Sequence, residues 1–456
     1  MRSTTDGVRS SAWVYGIVLA LALAIHVFSV TQIGPPPVVR DALGYSRTTQ
    51  RLLLTGTFSY STADPSLETT PNAFITPGYV FWLAPFFALT GEDEVDSDTW
   101  LLETQPLVTV GQLCLGLLVV SLVTSMALSI AGRRAGLLAG AVAAAYIPYG
   151  ANAAFLLSEQ LAAALFTIAL WAAVRSLRAE YRASSAWLLV ATGFAVLTTL
   201  VRPVVALWCV VPLLLWTRCH WHQRAALVRP LLAAALVAVA IMAPWWARSA
   251  LTLHRFVPLS DGGSAALYHA AVGAEGMTED DERVYVDAIE RGADPLAAVS
   301  RERVLSELRA RPLPYLGERA SQLWQRITRP PLLFADLAED TWMSGGVPGG
   351  GVYVGGDSFL TRRSESFYQG LYDWTLILHR AILGAALLGV WVLRKRGPVV
   401  VLLASAPIYF IAVHSLTLMM TRYLYPMMSA CIVLAVLFAE YLVRLRSRTR
   451  KTVAAS

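Results

Sequence analysis

The sequence predicts an all-α polytopic membrane protein with about ten transmembrane helices. Of its 456 residues, 56% are hydrophobic and only 15% are charged, whereas soluble domains are about a quarter charged. Apolar runs of roughly the 20 residues that a helix needs to cross a bilayer recur along the chain. These runs are continuous and do not alternate with polar residues, which favours helices over barrel strands.

The predicted spans follow from these runs in chain order. Residues 12–33 are too long for a typical signal peptide and lack a small-residue cleavage motif, so we expect a retained first span. Residues 72–89 are also apolar, but prolines interrupt them, which predicts a juxtamembrane or re-entrant segment. The other predicted spans are 105–131, 135–150, 153–174, 186–200, 204–216, 230–247, 374–393, 398–418 and 424–443.

Basic residues predict the orientation of the bundle. With ten spans, every basic cluster falls on the side of the N-terminus, so the positive-inside rule places both termini in the cytoplasm. The net charge of +6 is therefore explained by topology, and nucleic-acid binding is not expected. The arginine-rich composition favours a bacterial plasma (inner) membrane. The clusters are Arg2/Arg9, Arg133/Arg134, Arg175/Arg178/Arg182, Arg218/Arg224/Arg229, Arg394/Lys395/Arg396 and 444–451.

Three regions are expected along the chain. Residues 1–250 form an N-terminal bundle that includes a first outer loop at 34–104. Residues 251–372 form a small outer-face, periplasmic or extracellular, subdomain, in which 316–327 has apolar residues at helical spacing. Residues 373–456 form the last helices and a basic tail. The four cysteines and seven histidines show no metal-ligand spacing, so no metal-binding residues are assigned.

Five ionisable residues lie at outer span ends under this topology, where charge is costly and usually has a function. Asp41 fits either a helix-capping residue or a general base beside the membrane. Glu159 fits either a favourable charge at a helix N-terminus or a second site carboxylate that orients a polar substrate. Arg202, Arg248 and Arg422 are either interfacial arginines or ligands for an anionic headgroup, which guanidinium groups bind bidentately.

An ordered set of short motifs resembles the family 39 glycosyltransferases of the GT-C superfamily, which include the protein O-mannosyltransferases and the lipid A aminoarabinose transferases. The resemblance covers roughly 10–270 and 375–445. Its first-loop part includes Tyr45, Pro77, Gly78 and Tyr79, which we take as a substrate loop. The motifs are Asp41-x-x-x-Tyr45, Leu52-Leu53-x-x-Gly56-x-Phe58-Ser59, Thr76-Pro77-Gly78-Tyr79, Ser158-Glu159, Leu200-Val201-Arg202-Pro203, Pro244-Trp245-Trp246-Ala247-Arg248 and Arg422-Tyr423-x-x-Pro426.

The resemblance implies a GT-C-like bundle with juxtamembrane helices. It implies transfer of a hexose or pentose from a polyprenyl-phosphate carrier to a hydroxyl of a glycan, lipid or protein acceptor. Direct displacement by that hydroxyl predicts inversion at the anomeric carbon. Asp41 and Glu159 would be the catalytic carboxylates, and Arg248, Arg422 and Arg202 would bind the donor phosphate. Asp41 lacks the adjacent acidic residue that many relatives have, so the resemblance leaves a divalent metal open as a cofactor.

Two other functions remain open from the sequence. A transporter or flippase of a lipid-linked or anionic substrate would also need outward charges, although it predicts charges near the bilayer midplane. A lipid-linked glycan polymerase or ligase would use arginines in a late outer loop, where Arg362 and Arg363 lie. The remaining hypothesis is a membrane protein with a purely structural role.

Overall fold

The computed structural model describes residues 4–262, 305–333, 363–416 and 420–453, apart from positions 35, 37, 39, 68, 92–95 and 307. Most of these residues are helical and none forms a β-strand, which confirms the all-α prediction. The helices are α1 (Thr4–Ile33), α2 (Arg40–Thr55), α3 (Gly78–Thr90), α4 (Ser97–Ala131), α5 (Arg133–Ala145), α6 (Pro148–Ala151), α7 (Glu159–Ser176), α8 (Tyr181–Val201), α9 (Val210–Cys219), α10 (Arg224–Thr252), α11 (Pro312–Thr328), α12 (Glu365–Leu393), α13 (Pro398–Leu416) and α14 (Met428–Val453). The 3-10 segments are Asn152–Ala154, Pro203–Cys209, Trp221–Gln223 and Thr421–Met427.

Seven helices of the described residues are long and apolar enough to cross a membrane, or eight if one bent pair counts as a span. They are Ala12–Ile33, Ser97–Ala131, Tyr181–Val201, Trp221–Thr252, Ser366–Leu393, Pro398–Ser415 and Thr421–Ser447. Each matches a predicted span, so the multi-pass class is confirmed, while the count of ten stays a prediction.

Three predicted spans differ in the structure. The span at 135–150 is two helical pieces bent by 57°, with Pro148 opening the second piece. The span at 153–174 becomes α7, which starts six residues later because a 3-10 turn and the extended Phe155 precede it. The span at 204–216 is a 3-10 segment joined to α9, within the short apolar stretch Pro203–Cys219.

Helix α7 lies at the centre of the bundle. Fourteen of its eighteen residues are buried, which is typical of a helix surrounded by other helices. Phe166 packs against Trp208 with a ring distance of 4.6 Å and against Phe410 at 5.2 Å. Glu159 and Arg175 lie about 24 Å apart along α7 at 1.5 Å per residue. Glu159 is therefore carried at one face of the bundle, and the basic cluster that begins at Arg175 lies at the other.

The predicted first outer loop, residues 34–104, is held by hydrogen bonds to its main chain. The side chain of Arg51 is buried and donates to the carbonyl oxygens of Ser59, Ala63 and Asp64 at 3.0–3.2 Å. Two further bonds join the loop to the chain beyond α10, from Asp261 N to Ala73 O and from Gly262 N to Phe74 O. The loop is therefore a folded part of the protein that can hold a site.

The predicted outer subdomain is described only in part. Within it, α11 is amphipathic and none of its residues is buried. Arg319 donates to Ser415 O at 3.1 Å, and the C-terminal carbonyls of α11 accept bonds from His379 and Arg380 of α12. Helix α11 therefore packs against the middle of α12 and the C-terminal end of α13. Residues 263–304 and 334–362, including Arg362, lie outside the described residues.

Candidate active site

The first element of the site is the turn from α1 into α2. Gly34 ends α1 with a positive φ of 76°, a conformation that glycine adopts without strain. Asp41 then lies in the first turn of α2, where the helix dipole favours a carboxylate. Its side chain is 46% exposed, so it remains accessible from outside the bundle.

The second element is a buried ion pair between two helix ends. Glu159 is the first residue of α7 and only 2% exposed. Arg202 follows the end of α8, and because Pro203 comes next it is extended, with φ −138° and ψ 101°. Its guanidinium group donates directly to Glu159 Oε1. Burial alone would lower the pKa of Arg202, but Glu159, Tyr45 and Tyr423 together outweigh burial and raise it, so Arg202 stays charged.

Arg422 joins both carboxylates. It lies in the 3-10 segment before α14, and its Nη2 donates to Asp41 Oδ2 at 2.6 Å. Its Nε lies 3.5 Å from Glu159 Oε1. We call Asp41, Glu159, Arg202 and Arg422 the charge cluster. It brings together four elements separated by up to 381 positions in the sequence, and its two acids and two bases have formal charges that sum to zero.

One aromatic ring supports both arginines of the charge cluster. The ring centroid of Tyr423 lies 4.9 Å from the guanidinium carbon of Arg202 and 5.5 Å from that of Arg422. Cation–π contacts of this kind stabilise a buried cation, so two like charges are held side by side. Tyr423 was part of the Arg-Tyr motif in the sequence, but its role as a shared platform depends on the meeting of two distant segments.

The predicted substrate loop lies against the same helix ends. The Tyr45 and Tyr79 rings pack edge to face at 5.0 Å, and Tyr45 OH lies 3.5 Å from Ser158 Oγ. Burial raises the pKa of Tyr45 to about 12, so its hydroxyl keeps its proton at neutral pH. Pro77 precedes α3, and a Cβ added at Gly78 would lie 2.7 Å from Leu200 O. Glycine therefore lets α3 approach the end of α8 next to the charge cluster.

Arg248 is bound in a different way from the arginines of the charge cluster. Its two terminal nitrogens donate to Asn72 O at 2.9 Å and to Phe58 O at 2.6 Å. Its guanidinium carbon also lies 5.1 Å from the ring centroids of Phe58 and Trp245. These contacts join the end of α10 to the first outer loop, and none of them reaches Asp41 or Glu159. The structure therefore does not pair Arg248 with the other predicted site residues.

A second layer beneath the charge cluster was not predicted from the sequence. Gln160 follows Glu159, and its Oε1 accepts a bond from Tyr425 OH at 2.6 Å. Its Nε2 donates to Tyr149 O at 3.0 Å. Because Tyr425 lies three residues after Arg422, this bond fixes α7 against the 3-10 segment. The sequence signals were that Gln160 follows Glu159 and that Tyr425 lies within the motif from Arg422 to Pro426.

No family model of proteins matches the chain, and no curated protein matches it. Among solved structures, the chain is similar to the apo oligosaccharyltransferase of Archaeoglobus fulgidus, with a TM-score of 0.51 and 12% identity over 97% of this chain and 52% of that one. It is also similar to that protein, AglB, in complex with an inhibitory peptide and a dolichol-phosphate, with a TM-score of 0.50, 12% identity and the same coverage. ArnT from Cupriavidus metallidurans bound to undecaprenyl phosphate has a TM-score of 0.41 and 15% identity, over 95% of this chain and 78% of that one.

The likeness to AglB shows the fold of this chain. It confirms the expected GT-C-like helical bundle. The chain spans about half the length of AglB, because it covers 52% of that protein. Within the described residues, no group of three or more His, Cys, Asp or Glu side chains is placed to hold a metal ion.

Proposed function

We propose that this protein is a membrane glycosyltransferase that moves a sugar from a polyprenyl-phosphate donor to an acceptor hydroxyl at one membrane face. The observation that carries the proposal is the charge cluster, in which an accessible carboxylate lies beside two clustered arginines at a single end of the bundle. A transferase of this kind needs a base for the acceptor and cations for the phosphate. AglB, which shares the fold, has been solved with a dolichol-phosphate, and this adds support.

Asp41 is the proposed general base. It is the exposed carboxylate of the cluster, whereas Glu159 is buried beneath the arginines. In the proposed step Asp41 accepts the proton of the acceptor hydroxyl as that oxygen bonds to the anomeric carbon. The bond from the anomeric carbon to the phosphate oxygen breaks, and its electron pair leaves with polyprenyl phosphate. A single direct displacement inverts the anomeric configuration.

Arg422 is proposed to exchange partners when the donor binds. It is paired with Asp41 in this structure, and an arginine partner makes a carboxylate a weaker base. A phosphate group matches the guanidinium fork as well as a carboxylate does. Donor phosphate would therefore draw Arg422 from Asp41, while Glu159 remains a counter-ion 3.5 Å from Arg422 Nε. The base would become active only once the donor is in place.

The proposed site lies on the outer side of a plasma membrane, with both termini in the cytoplasm. Supporting this, the charge cluster lies at the first residue of α7, whereas Arg175 lies in its last turn. The positive-inside rule puts the end with Arg175 in the cytoplasm. The proposed acceptor is a hydroxyl of a glycan, lipid or protein, and the proposed location is a bacterial inner membrane.

The test uses the full chain in lipid nanodiscs with a panel of polyprenyl-phosphate hexoses and pentoses and native membrane extract as acceptor. The measurement is release of polyprenyl phosphate by wild type, Asp41→Asn and the control Asp373→Asn, which alters a carboxylate in α12. We expect one donor to turn over and Asp41→Asn to lose activity by about 10²- to 10⁴-fold, with Asp373→Asn active. No turnover with any donor, or an active Asp41→Asn, would contradict the proposal.

A further inference from the structure

Helix α4 carries two buried glutamines on one face. Gln105 is 2% exposed and Gln112 is fully buried. Seven residues separate them, so their side chains leave the same face of the helix, about 10.5 Å apart along its axis. Leu101 and Val108 lie on that face and are also buried. The two glutamines are therefore polar groups in apolar surroundings, and each needs hydrogen-bond partners.

Gln105 binds the turn that precedes Asp41. Its Nε2 donates to Pro36 O at 3.0 Å. Three successive prolines at 35–37 have no amide hydrogen, so this turn depends on donors from elsewhere. Val38 of the same turn packs in one apolar cluster with this face of α4. Helix α4 therefore fixes the position of the chain five residues before Asp41.

Gln112 binds the break that precedes Glu159. Its Nε2 donates to Phe155 O at 2.6 Å and to Ala153 O at 3.3 Å. These carbonyls belong to the 3-10 turn and the extended residue through which the chain reaches α7. Helix α4 therefore also fixes the position of the chain four residues before Glu159.

The two amide groups are satisfied on one side only. A carbonyl oxygen can only accept, so the nitrogen of each amide must face the chain that it binds. The Oε1 atoms of Gln105 and Gln112 are buried and have no hydrogen-bond partner among the described residues. A buried acceptor without a partner destabilises a fold, so stability alone does not explain two such glutamines.

We propose that Gln105 and Gln112 are positioning residues that hold Asp41 and Glu159 in register around Arg422, an inference that rests on the proposed function. Each carboxylate lies in the first turn of a helix, so the chain that enters the helix determines where the carboxylate lies. Arg422 Nη2 lies 2.6 Å from Asp41 Oδ2, and Arg422 Nε lies 3.5 Å from Glu159 Oε1. Because both entering segments are bound to one continuous helix, Arg422 meets both carboxylates at a fixed separation.

The first experiment measures amide hydrogen exchange by mass spectrometry in lipid nanodiscs, and it needs no turnover. It uses the full chain as wild type, Gln105→Met and Gln112→Met, since methionine has a similar length but cannot donate. Thr124→Val is the matched control, because Thr124 is buried in α4 and donates to a carbonyl of its own helix. We expect Gln105→Met to speed exchange about tenfold at 38–41 and Gln112→Met to do so at 153–158. Tenfold is about 1.4 kcal/mol, which is within the typical contribution of one hydrogen bond.

The second experiment measures release of polyprenyl phosphate at saturating donor. Gln105→Met and Gln112→Met should each lower kcat by about tenfold, less than the roughly 100-fold expected for a displacement of 1 Å, and Thr124→Val should not. Adding Gln105→Met to Asp41→Asn should lower the residual turnover by less than about twofold, because the group that it positions is already lost. Adding it to Glu159→Gln should give the full tenfold loss. Gln112→Met should show the reverse pattern, whereas a merely structural role gives equal losses in both backgrounds.

Unchanged exchange in both segments, or equal losses of turnover in both backgrounds, would overturn the inference. Local changes in exchange in a protein that turns over no donor would support the positioning contacts and contradict the transferase. Turnover by wild type with equal losses in both backgrounds would support the transferase and contradict the positioning role. The two proposals therefore fail separately.

Discussion

The charge cluster and the first outer loop both depend on arginines, but they bind them in opposite ways. In the cluster, Arg202 and Arg422 face carboxylates. In the loop, Arg51 and Arg248 face main-chain carbonyl oxygens. All four are cations near one face of the bundle, and residue type alone does not distinguish them.

The difference lies in what a substrate can displace. A carboxylate partner carries a charge on a side chain, so a phosphate group can replace it at little cost in geometry. The carbonyl partners of Arg248 belong to a folded loop, and leaving Asn72 O without a donor would cost about 1–3 kcal/mol. The arginines of the cluster are therefore suited to binding an anion, whereas those of the loop hold the chain in place.

Among the substitutions that test this difference, Arg422→Gln should lower turnover most. It removes the cation that contacts both Asp41 and Glu159, and with it the charge that would stabilise the leaving phosphate. We expect kcat to fall by about 10²- to 10³-fold, the loss typical when one electrostatic stabiliser is removed. Arg422→Lys, which keeps the charge without the bidentate fork, should retain part of the rate. The measurement is release of polyprenyl phosphate at saturating donor. A fully active Arg422→Gln would show that other residues stabilise the leaving phosphate.

Glu159→Gln should have the second-largest effect on turnover. It leaves Arg202 and Arg422 beside each other without their shared counter-ion, in a place where Glu159 is 2% exposed. Removing one partner of a buried pair costs about 3–5 kcal/mol of stability. A displacement of Arg422 by about 1 Å would lower turnover by about 100-fold. Thermal unfolding in detergent and turnover together test this, and the double variant Glu159→Gln/Arg202→Met should recover stability because it removes the uncompensated cation.

Tyr423→Leu should have a smaller effect. It removes the ring that lies within 5.5 Å of both guanidinium carbons but leaves all four charges. We expect turnover to fall about tenfold, or roughly 1.4 kcal/mol, which is within the range of a buried cation–π contact. Tyr423→Phe keeps the ring and should behave as wild type. If Phe and Leu were equally impaired, the hydroxyl and not the ring would matter.

The sequence was sufficient to predict the helical membrane class and most long spans, because their apolar runs are continuous. It placed the start of α7 too early, since the apolar residues 153–158 have the same composition as a helix although Phe155 is extended there. Hydropathy reports burial and not backbone conformation, so the break before Glu159 was not visible in it.

The sequence was sufficient to predict the candidate residues, but not which of them contact one another. Asp41, Glu159, Arg202 and Arg422 each stood at a span end, and their pairing depends on where α2, α7, the end of α8 and the last 3-10 segment meet. Arg248 had the same signals as Arg422, namely an arginine beside aromatic residues at a predicted outer end of a span. Only the fold of the loop, which places the carbonyls of Phe58 and Asn72 around it, separates it from the others.

Arg248→Met should therefore have the smallest effect on turnover, within about twofold at saturating donor, because the loss falls on the loop and not on the charge cluster. The variant should instead destabilise the loop by about 1–3 kcal/mol, because Asn72 O loses its donor, whereas Phe58 O keeps the bond from Asn72 N. The measurements are kcat and the rate of limited proteolysis within residues 56–77, with Arg248→Lys as a control that can donate to only part of the pair. The opposite outcome would be a variant as resistant to proteolysis as wild type but as inactive as Arg422→Gln. Arg248 would then be assigned to binding the donor phosphate, and the two groups of arginines would no longer differ in role.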